Sequence, residues 1–204
     1  LDEVITTIAN CLKNGFQLRD LCILVRRNSE GVEIAQKLQE ENIPVISSES
    51  LLLSQSPEVD FLTNILHFIV EPGSNAIAIK VLEYIAANFY ELEDTHGFYS
   101  KYISLKGQEL FEAALPVDLH FDIQFCSALP LYESAEYIVR SFGLQKEGGS
   151  YIQFFLDAIF DFSQKHTGGL PEFLNWWELK KDRLSISTPP EAEAVQIMTI
   201  HKAK

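Results

Sequence analysis

Cysteine is scarce in this sequence, and the cysteines present form no recognisable disulfide or metal-binding pattern. Cys11, Cys22 and Cys126 are the only three among 204 residues, so they cannot all pair with one another. Neither a CxxC pair nor a cysteine–histidine cluster with zinc-ligand spacing occurs. Each cysteine lies in an apolar stretch, which predicts three reduced, buried thiols in a cytoplasmic protein.

Long hydrophobic runs are also absent. No apolar segment approaches the roughly 20 residues that span a bilayer, so we expect no membrane anchor in this chain. The first residues, LDEVITTIANCLKNG, begin with acids and lack the basic segment of a signal peptide. They also lack an initiator methionine, and we therefore expect a piece of a longer protein.

Basic residues are outnumbered in this chain. Lysine and arginine total 16 against 29 acidic residues, for a net charge of -13. Residues 1–71 carry 5 basic and 11 acidic side chains, residues 72–190 carry 9 and 16, and residues 191–204 carry 2 and 2. Because an acidic surface repels a nucleic-acid backbone, the chain alone is a poor candidate for DNA binding.

Three short apolar runs predict a small parallel β-sheet. Residues 21–25 and 43–47 flank a helical pattern and form a strand–helix–strand unit, while residues 195–200 predict a third strand. The run LCILV is apolar at every position, which is typical of a parallel strand covered on both faces. The fold class predicted is α/β and mainly helical.

The middle of the chain has a different composition. Residues 72–190 contain 20 of the 23 aromatic residues. Their periodicity predicts helices over 75–89, roughly 98–114, 133–142, 150–166 and 171–183. We therefore expect an all-helical subdomain, residues 73–190, inserted between an α/β segment at 1–72 and a return strand at 191–204.

The last ten residues, VQIMTIHKAK, combine an apolar strand with the chain's one dense basic cluster. Ligands of open parallel sheets bind beyond the carboxyl ends of the strands. His201, Lys202 and Lys204 follow one such end, and Arg26 and Arg27 follow another. This edge of the sheet is the predicted binding site.

These segments resemble the UvrD/Rep branch of superfamily 1 DNA helicases. VQIMTIHKAK is similar to the start of motif V, a strand that ends in T-x-H-x-x-K. DLCILVRRNSEGVEIAQKLQEENIPV looks like the strand–helix–strand of the second motor domain. LLLSQSPEVDFLTNILHFIVEP resembles the following segment of the RecB/AddA helicase–nuclease subgroup, and a helical subdomain is inserted between these blocks in the family.

The resemblance implies both a fold and an activity. The fold implied is part of a P-loop-NTPase-like (RecA-like) sheet, with the helical insert in a regulatory role. The activity implied for the parent protein is that of an ATP-dependent 3′–5′ DNA helicase, or helicase–nuclease, of DNA repair and recombination, with ATP and Mg²⁺ as cofactors. Its implied partners are single-stranded or duplex DNA and, in a helicase–nuclease complex, a partner subunit.

The resemblance also assigns roles to individual residues. Thr199 and His201 match motif positions that lie on the floor of the single-strand DNA channel, and Lys204 matches the motif lysine. Lys202 falls at a variable position of the motif. Arg26 and Arg27 are weaker candidates for DNA contact, because the alternative is that they cap the following helix or pair with Glu30.

The departures from the family limit what this chain can do alone. It contains no phosphate loop of the form G-x-x-x-x-G-K-[ST] and no acidic DExx-type motif. We therefore expect no catalytic residue, no metal site and no cofactor in this chain, which should neither hydrolyse ATP nor unwind DNA by itself. The alternative hypothesis is a stand-alone acidic helical module that docks a partner protein, and a GLEF sequence after Lys204 would favour the helicase.

Two other features suggest chemistry but favour a structural interpretation. Trp176 and Trp177 resemble base-stacking aromatics. Neighbouring side chains on a helix point about 100° apart, however, so both rings cannot join one base stack. Core packing is therefore the favoured interpretation. Asp118, His120 and Asp122 could place three metal ligands on one strand face, but a single short DxHxD pattern is a weak signal.

Overall fold

The computed structural model describes residues 2–47, 51–186, 193–201 and 203. Within these residues the chain is mainly helical and has one small β-sheet, which confirms the predicted α/β class. The strands are β1 Cys22–Val25, β2 Val45–Ser47 and β3 Val195–Thr199. The α-helices are α1 Asp2–Lys13, α2 Asn28–Glu40, α3 Pro57–Val70, α4 Asn75–Phe89, α5 Thr95–Tyr102, α6 Gln108–Ala114, α7 Ile123–Ala128, α8 Leu131–Phe142, α9 Gln145–Lys165 and α10 Leu170–Lys180.

The sheet has the strands and direction that the sequence predicts. Its order is β1-β3-β2, and both pairings are parallel. The distant strand β3 therefore lies between the two strands of the β1–α2–β2 unit. In the register, Val25 is opposite Thr199 and Val45 is opposite Val195.

One face of the sheet forms a core with α1 and α2. Its buried residues are Ile8, Val25, Leu38, Val195 and Ile197. The two helices supply Ile8 and Leu38, and the strands supply the other three. This cluster fixes the position of the sheet against both helices.

The expectation that LCILV is covered on both faces is wrong. In β1 only Val25 is buried, while Cys22 is exposed and Leu24 is 53% exposed. β1 is an edge strand of a three-stranded sheet, and its continuous apolar run gives no information about which face lacks a covering layer. The predicted burial of all three thiols is also wrong, because Cys22 is exposed, Cys11 is half-buried and only Cys126 is buried.

The contact pattern divides the chain into two units. The first comprises Leu1–Gln55 with Ser185–Lys204, and the second is Ser56–Leu184. The helix α3 belongs to the second unit, whereas the sequence pattern suggests a boundary at 72/73. The assignment of these segments to a motor domain and its insertion stays a prediction.

The helical unit is built around α3. Eight residues of this helix are buried, among them Phe61 and Phe68. Phe61 stacks on Tyr84 of α4 with ring centroids 4.0 Å apart. Phe68 meets Phe111 of α6 edge to face at 5.8 Å. The aromatic-rich composition of this segment therefore reflects the packing of its core.

Both tryptophans of α10 take part in that packing. Trp177 is 3% exposed and meets Phe155 edge to face at 4.8 Å. Trp176 is half-buried against Phe162 and Phe173, at 5.5 and 5.8 Å. The predicted packing role is confirmed for both residues.

The helix predicted over 98–114 is interrupted. α5 ends at Tyr102 and α6 begins at Gln108, after Gly107 with a φ of 52°. A positive φ of this kind favours glycine and breaks the helical path. The short helix α7 has no counterpart in the prediction, and its N-cap is Asp122, whose side chain accepts a hydrogen bond from the N–H of Phe125.

The DxHxD stretch is not a strand. Residues 118–122 are irregular between α6 and α7, so the three side chains do not share a strand face. Across the described ranges, no group of three or more histidine, cysteine or acidic side chains is placed to hold a metal ion. None of the helices in these ranges combines the length and the apolar character needed to cross a membrane.

Candidate nucleic-acid interface

The carboxyl ends of β1 and β3 meet at one edge of the sheet. Val25 and Thr199 are paired in the register, and the N–H of Ile200 donates to the carbonyl of Val25 at 3.0 Å. The two strands therefore end side by side. Arg26 and Arg27 leave this edge from β1, and His201 leaves it from β3.

The structure brings together four of the five predicted site residues. Arg26, Arg27 and His201 are exposed, and Thr199 is half-buried at the end of its strand. Lys204 lies outside the described residues, as does Lys202. The role of all five in binding DNA stays a prediction, but the sheet register explains why residues from opposite ends of the sequence share one edge.

Among the described residues, neither arginine side chain at this edge takes part in an ion pair. Within residues 2–47, 51–186, 193–201 and 203, no carboxylate lies within 4.0 Å of the guanidinium of Arg26 or Arg27. Arg19, at the opposite end of β1, instead pairs with Glu193 at 3.3 Å. Both edge arginines are exposed.

Glu30 occupies the main-chain donors of the same loop. Its Oε2 accepts hydrogen bonds from the backbone N–H of Arg26 at 3.0 Å and of Arg27 at 3.2 Å. Consecutive N–H groups in a loop commonly form an anion site, and here a carboxylate of the protein fills it. A phosphate at this edge would therefore have to be bound by side-chain donors, and the carboxylate of Glu30 would repel it.

Gly31 sets the distance between α2 and the sheet. A Cβ atom at this position would lie 3.3 Å from Cγ2 of Ile197 and 3.5 Å from Cγ2 of Val25. The helix can approach this closely because glycine has no side chain. Since Glu30 precedes Gly31, this close approach also positions the carboxylate over the loop. Sequence reasoning names Glu30 as a pairing candidate for the arginines but misses its bonds to the main chain.

The described residues do not fit an ATP or Mg²⁺ site. The sequence has no phosphate loop for ATP, and the described residues include no group of three or more histidine, cysteine or acidic side chains placed to hold a metal ion.

Comparison with known protein families gives a match over the first part of the chain. Residues 1–92 match the model of the UvrD-like helicase C-terminal domain. The matched residues include α1, β1, α2 and β2 of the sheet unit together with α3 and α4. This match covers less than half of the 204 residues and supports a relationship to UvrD-like helicases. The chain matches no curated protein.

Proposed function

We propose that this chain functions within an ATP-dependent DNA helicase of the UvrD/Rep type, where the edge carrying Arg26, Arg27, Thr199 and His201 forms one wall of the single-strand DNA channel. The single observation that carries the proposal is the paired ending of β1 and β3, which places donors from both ends of the chain together. The family match over residues 1–92 supports it independently.

The chemistry proposed is recognition of phosphate without recognition of base sequence. A guanidinium binds a phosphate through a planar fork of N–H groups, and each arginine adds a permanent positive charge. The hydroxyl of Thr199 and an imidazole N–H of His201 donate hydrogen bonds to phosphate oxygens. Such contacts hold single-stranded DNA of any sequence and let it advance along the channel.

Nucleotide hydrolysis is assigned to another part of the protein. The residues of this chain do not form a phosphate-binding loop, so no chemical step of ATP hydrolysis is derived from them. By resemblance we extend the proposal to the fold and the activity: the sheet is RecA-like, and the helicase unwinds DNA with 3′–5′ polarity. The same resemblance suggests a role in DNA repair or recombination in the cytoplasm. It also suggests that the protein belongs to the RecB/AddA-like subgroup and has a partner subunit. A regulatory role for the helical segment belongs to the same proposal.

The test is a titration of ATPase rate with single-stranded DNA in the complete helicase that carries this chain. His201→Ala removes one phosphate hydrogen bond, which is worth about 0.5–1.5 kcal/mol. The DNA concentration for half-maximal activation should therefore rise about two- to tenfold. The DNA-independent rate should stay unchanged.

Two control variants test whether the loss of DNA activation is specific to His201 or follows from any nearby substitution or lost positive charge. Lys202→Ala changes a neighbouring residue at a variable motif position and should have much less effect. Arg19→Ala removes a positive charge at the opposite end of β1, where the exposed pair with Glu193 is worth only about 0–1 kcal/mol. Equal activation of His201→Ala and the wild type would contradict the proposal.

A further inference from the structure

A small pocket lies in the helical unit, where the last turn of α4 meets the turn between α8 and α9. Its volume is about 200 Å³. Three aromatic rings line it, those of Tyr84, Phe89 and Phe142, together with two charged side chains, Glu58 and Lys146. Pockets for drug-sized ligands commonly measure about 300–1,000 Å³. This pocket therefore has room for one chemical group of side-chain size.

The three rings that line the pocket are inclined to one another and so do not form a flat surface. The planes of Tyr84 and Phe89 meet at 64°, with centroids 6.4 Å apart, and those of Phe89 and Phe142 meet at 51°, with centroids 6.3 Å apart. Tyr84 and Phe89 are half-buried, whereas Phe142 is only 6% exposed. Because the face of an aromatic ring is electronegative, a group of rings of this kind attracts a cation.

Glu58 contributes a fixed carboxylate to the pocket. Its Oε2 accepts a hydrogen bond from the hydroxyl of Ser56 at 2.5 Å. The backbone of α9 packs against the same side chain, since a Cβ atom at Gly148 would lie 2.9 Å from Cγ of Glu58. The Glu58 side chain is half-buried and takes part in no ion pair within the described part of the chain. These contacts hold the carboxylate in place, and no described lysine, arginine or histidine balances its charge.

The charge around the pocket favours a cation over the unit as a whole. Residues 56–184 carry 19 acidic and 9 basic side chains, and an excess of this kind raises the local concentration of cations. Lys146 acts in the opposite direction at short range, because it lines the pocket and is exposed. Its ammonium group makes no ion pair with Glu58. A ligand therefore meets Glu58 as an available anion.

We propose that this pocket binds a guanidinium group. A guanidinium is planar, stacks on aromatic rings and donates hydrogen bonds to a carboxylate. It packs against the half-buried ring of Phe89 and donates to the carboxylate of Glu58. An ammonium group is more strongly hydrated and acts as a point charge, so it fits a mainly aromatic pocket less well. None of the pocket residues belongs to the candidate DNA edge, and the site is therefore independent of the function proposed for that edge.

The first experiment compares small probes on the full chain by saturation-transfer NMR titration. The probes are N-acetylarginine amide and N-acetylcitrulline amide, because citrulline has nearly the shape of arginine but no charge. The arginine probe should bind about two- to fivefold more tightly, as for a cation–π contact at an exposed site. It should also bind more tightly than N-acetyllysine amide. Equal affinity of the arginine probe and either of the other two would overturn the proposal.

A matched pair of variants tests the role of the carboxylate. Glu58→Gln keeps the size of the side chain and an oxygen that accepts from Ser56, but it removes the charge. It should weaken the arginine probe about two- to fivefold, the range of an exposed ion pair, and leave the citrulline probe unchanged. Glu112→Gln makes the same change on the exposed surface of α6, outside the pocket lining, and should have little effect. Equal effects of the two variants would contradict binding in this pocket.

Two further variants should change the affinity in opposite directions. Phe89→Leu replaces an aromatic wall with an aliphatic one and should weaken the arginine probe about two- to fivefold. Lys146→Gln removes the opposing charge and should strengthen it. A general loss of folding would weaken binding in both variants, so the opposite directions are specific to the pocket. Weaker binding by Lys146→Gln would contradict the proposal.

The last experiment distinguishes two sources of the guanidinium group, a free guanidino compound and an arginine residue of a polypeptide. The titration is repeated with a peptide that has one arginine between two pairs of glycines. Tighter binding of the peptide than of N-acetylarginine amide would assign the pocket to an arginine residue in a chain. Equal or weaker binding of the peptide would assign it to a free guanidino compound. Both results support a guanidinium site, and the absence of binding by both probes would overturn it.

Discussion

At the scale of single residues, Glu30 decides which donors the candidate DNA edge can offer. Its carboxylate takes both main-chain N–H groups of the loop after β1. The side chains of Arg26 and Arg27 are left pointing to solvent. The carboxylate of Glu30 thus holds the loop in shape, and under the proposed function an external phosphate would be bound by side chains. This arrangement agrees with sequence-independent recognition, because it fixes positions without reading bases.

Gly31 supports the same loop by keeping α2 close to the sheet. Gly31→Val would press methyl groups against Ile197 and Val25, where even a Cβ is tight at 3.3 Å, and overpacking of this kind costs about 1–3 kcal/mol. Hydrogen exchange of the β3 amides should become faster in this variant. The control is Gly149→Val in α9, where no heavy atom lies within 4 Å of an added Cβ. If β3 exchange in Gly31→Val matches that of the control, the close-approach explanation is incorrect.

His67 makes the stability of the helical unit depend on pH. Burial lowers its pKa below the ordinary 6.5, although Glu178, 4.0 Å away, acts in the opposite direction. The unfolded chain therefore binds the proton more readily, so the contribution of His67 to stability is full above pH 6.5 and falls as the pH drops below it. Urea unfolding at about pH 7.5 and about pH 5.5 should show a larger loss for wild type than for His67→Gln. His96→Gln, on the exposed surface of α5, is the control, and an identical loss in wild type and His67→Gln would refute this assignment.

At the scale of elements, the helices of the second unit begin with different kinds of cap. Ser56 precedes α3, and its hydroxyl accepts a hydrogen bond from the N–H of Val59 at 3.3 Å. Ser74 precedes α4 and makes no such bond. Two residues of the same type at the same helical position therefore make different contributions to stability.

This difference predicts different costs for two equivalent substitutions. Ser56→Ala should lower the free energy of unfolding by about 0.5–2 kcal/mol, the usual range for loss of an N-cap. Ser74→Ala should stay within about 0.5 kcal/mol of wild type. Chemical denaturation of both variants gives the comparison. Equal costs would mean that the hydroxyl of Ser56 does not stabilise α3 as a cap.

Element positions with strong local signals can be predicted from the sequence. The helix α4 occupies the predicted residues 75–89. The sheet is also predictable, because three apolar runs in an otherwise helical chain have few ways to pair. The candidate site follows directly, since parallel strands direct the residues after them to one edge.

The elements that sequence reasoning misses depend on tertiary context. The break between α5 and α6 occurs at Gly107, whose positive φ no periodicity reveals. The six-residue helix α7 is too short for a periodic signal and relies on its Asp122 cap. The exposed face of β1 is missed because LCILV is equally apolar on both sides.

At the scale of the whole molecule, charge opposes the function proposed for the edge. The net charge is -13, and a few basic side chains at one edge do not cancel it. The chain alone should therefore bind single-stranded DNA weakly or not at all at physiological salt. Fluorescence anisotropy with a labelled oligonucleotide checks this, and sub-micromolar, salt-sensitive binding by the chain alone would contradict it.

The most direct test of the DNA edge is the salt dependence of single-stranded DNA affinity in the complete helicase. Each phosphate contact contributes a slope of about 0.7 in a plot of log affinity against log salt concentration. Arg26→Ala and Arg27→Ala should each reduce the magnitude of the slope by about 0.7. The control Arg19→Ala, which removes the same charge at the opposite end of β1, should leave it unchanged. Identical slopes for all four proteins would show that neither Arg26 nor Arg27 contacts a DNA phosphate.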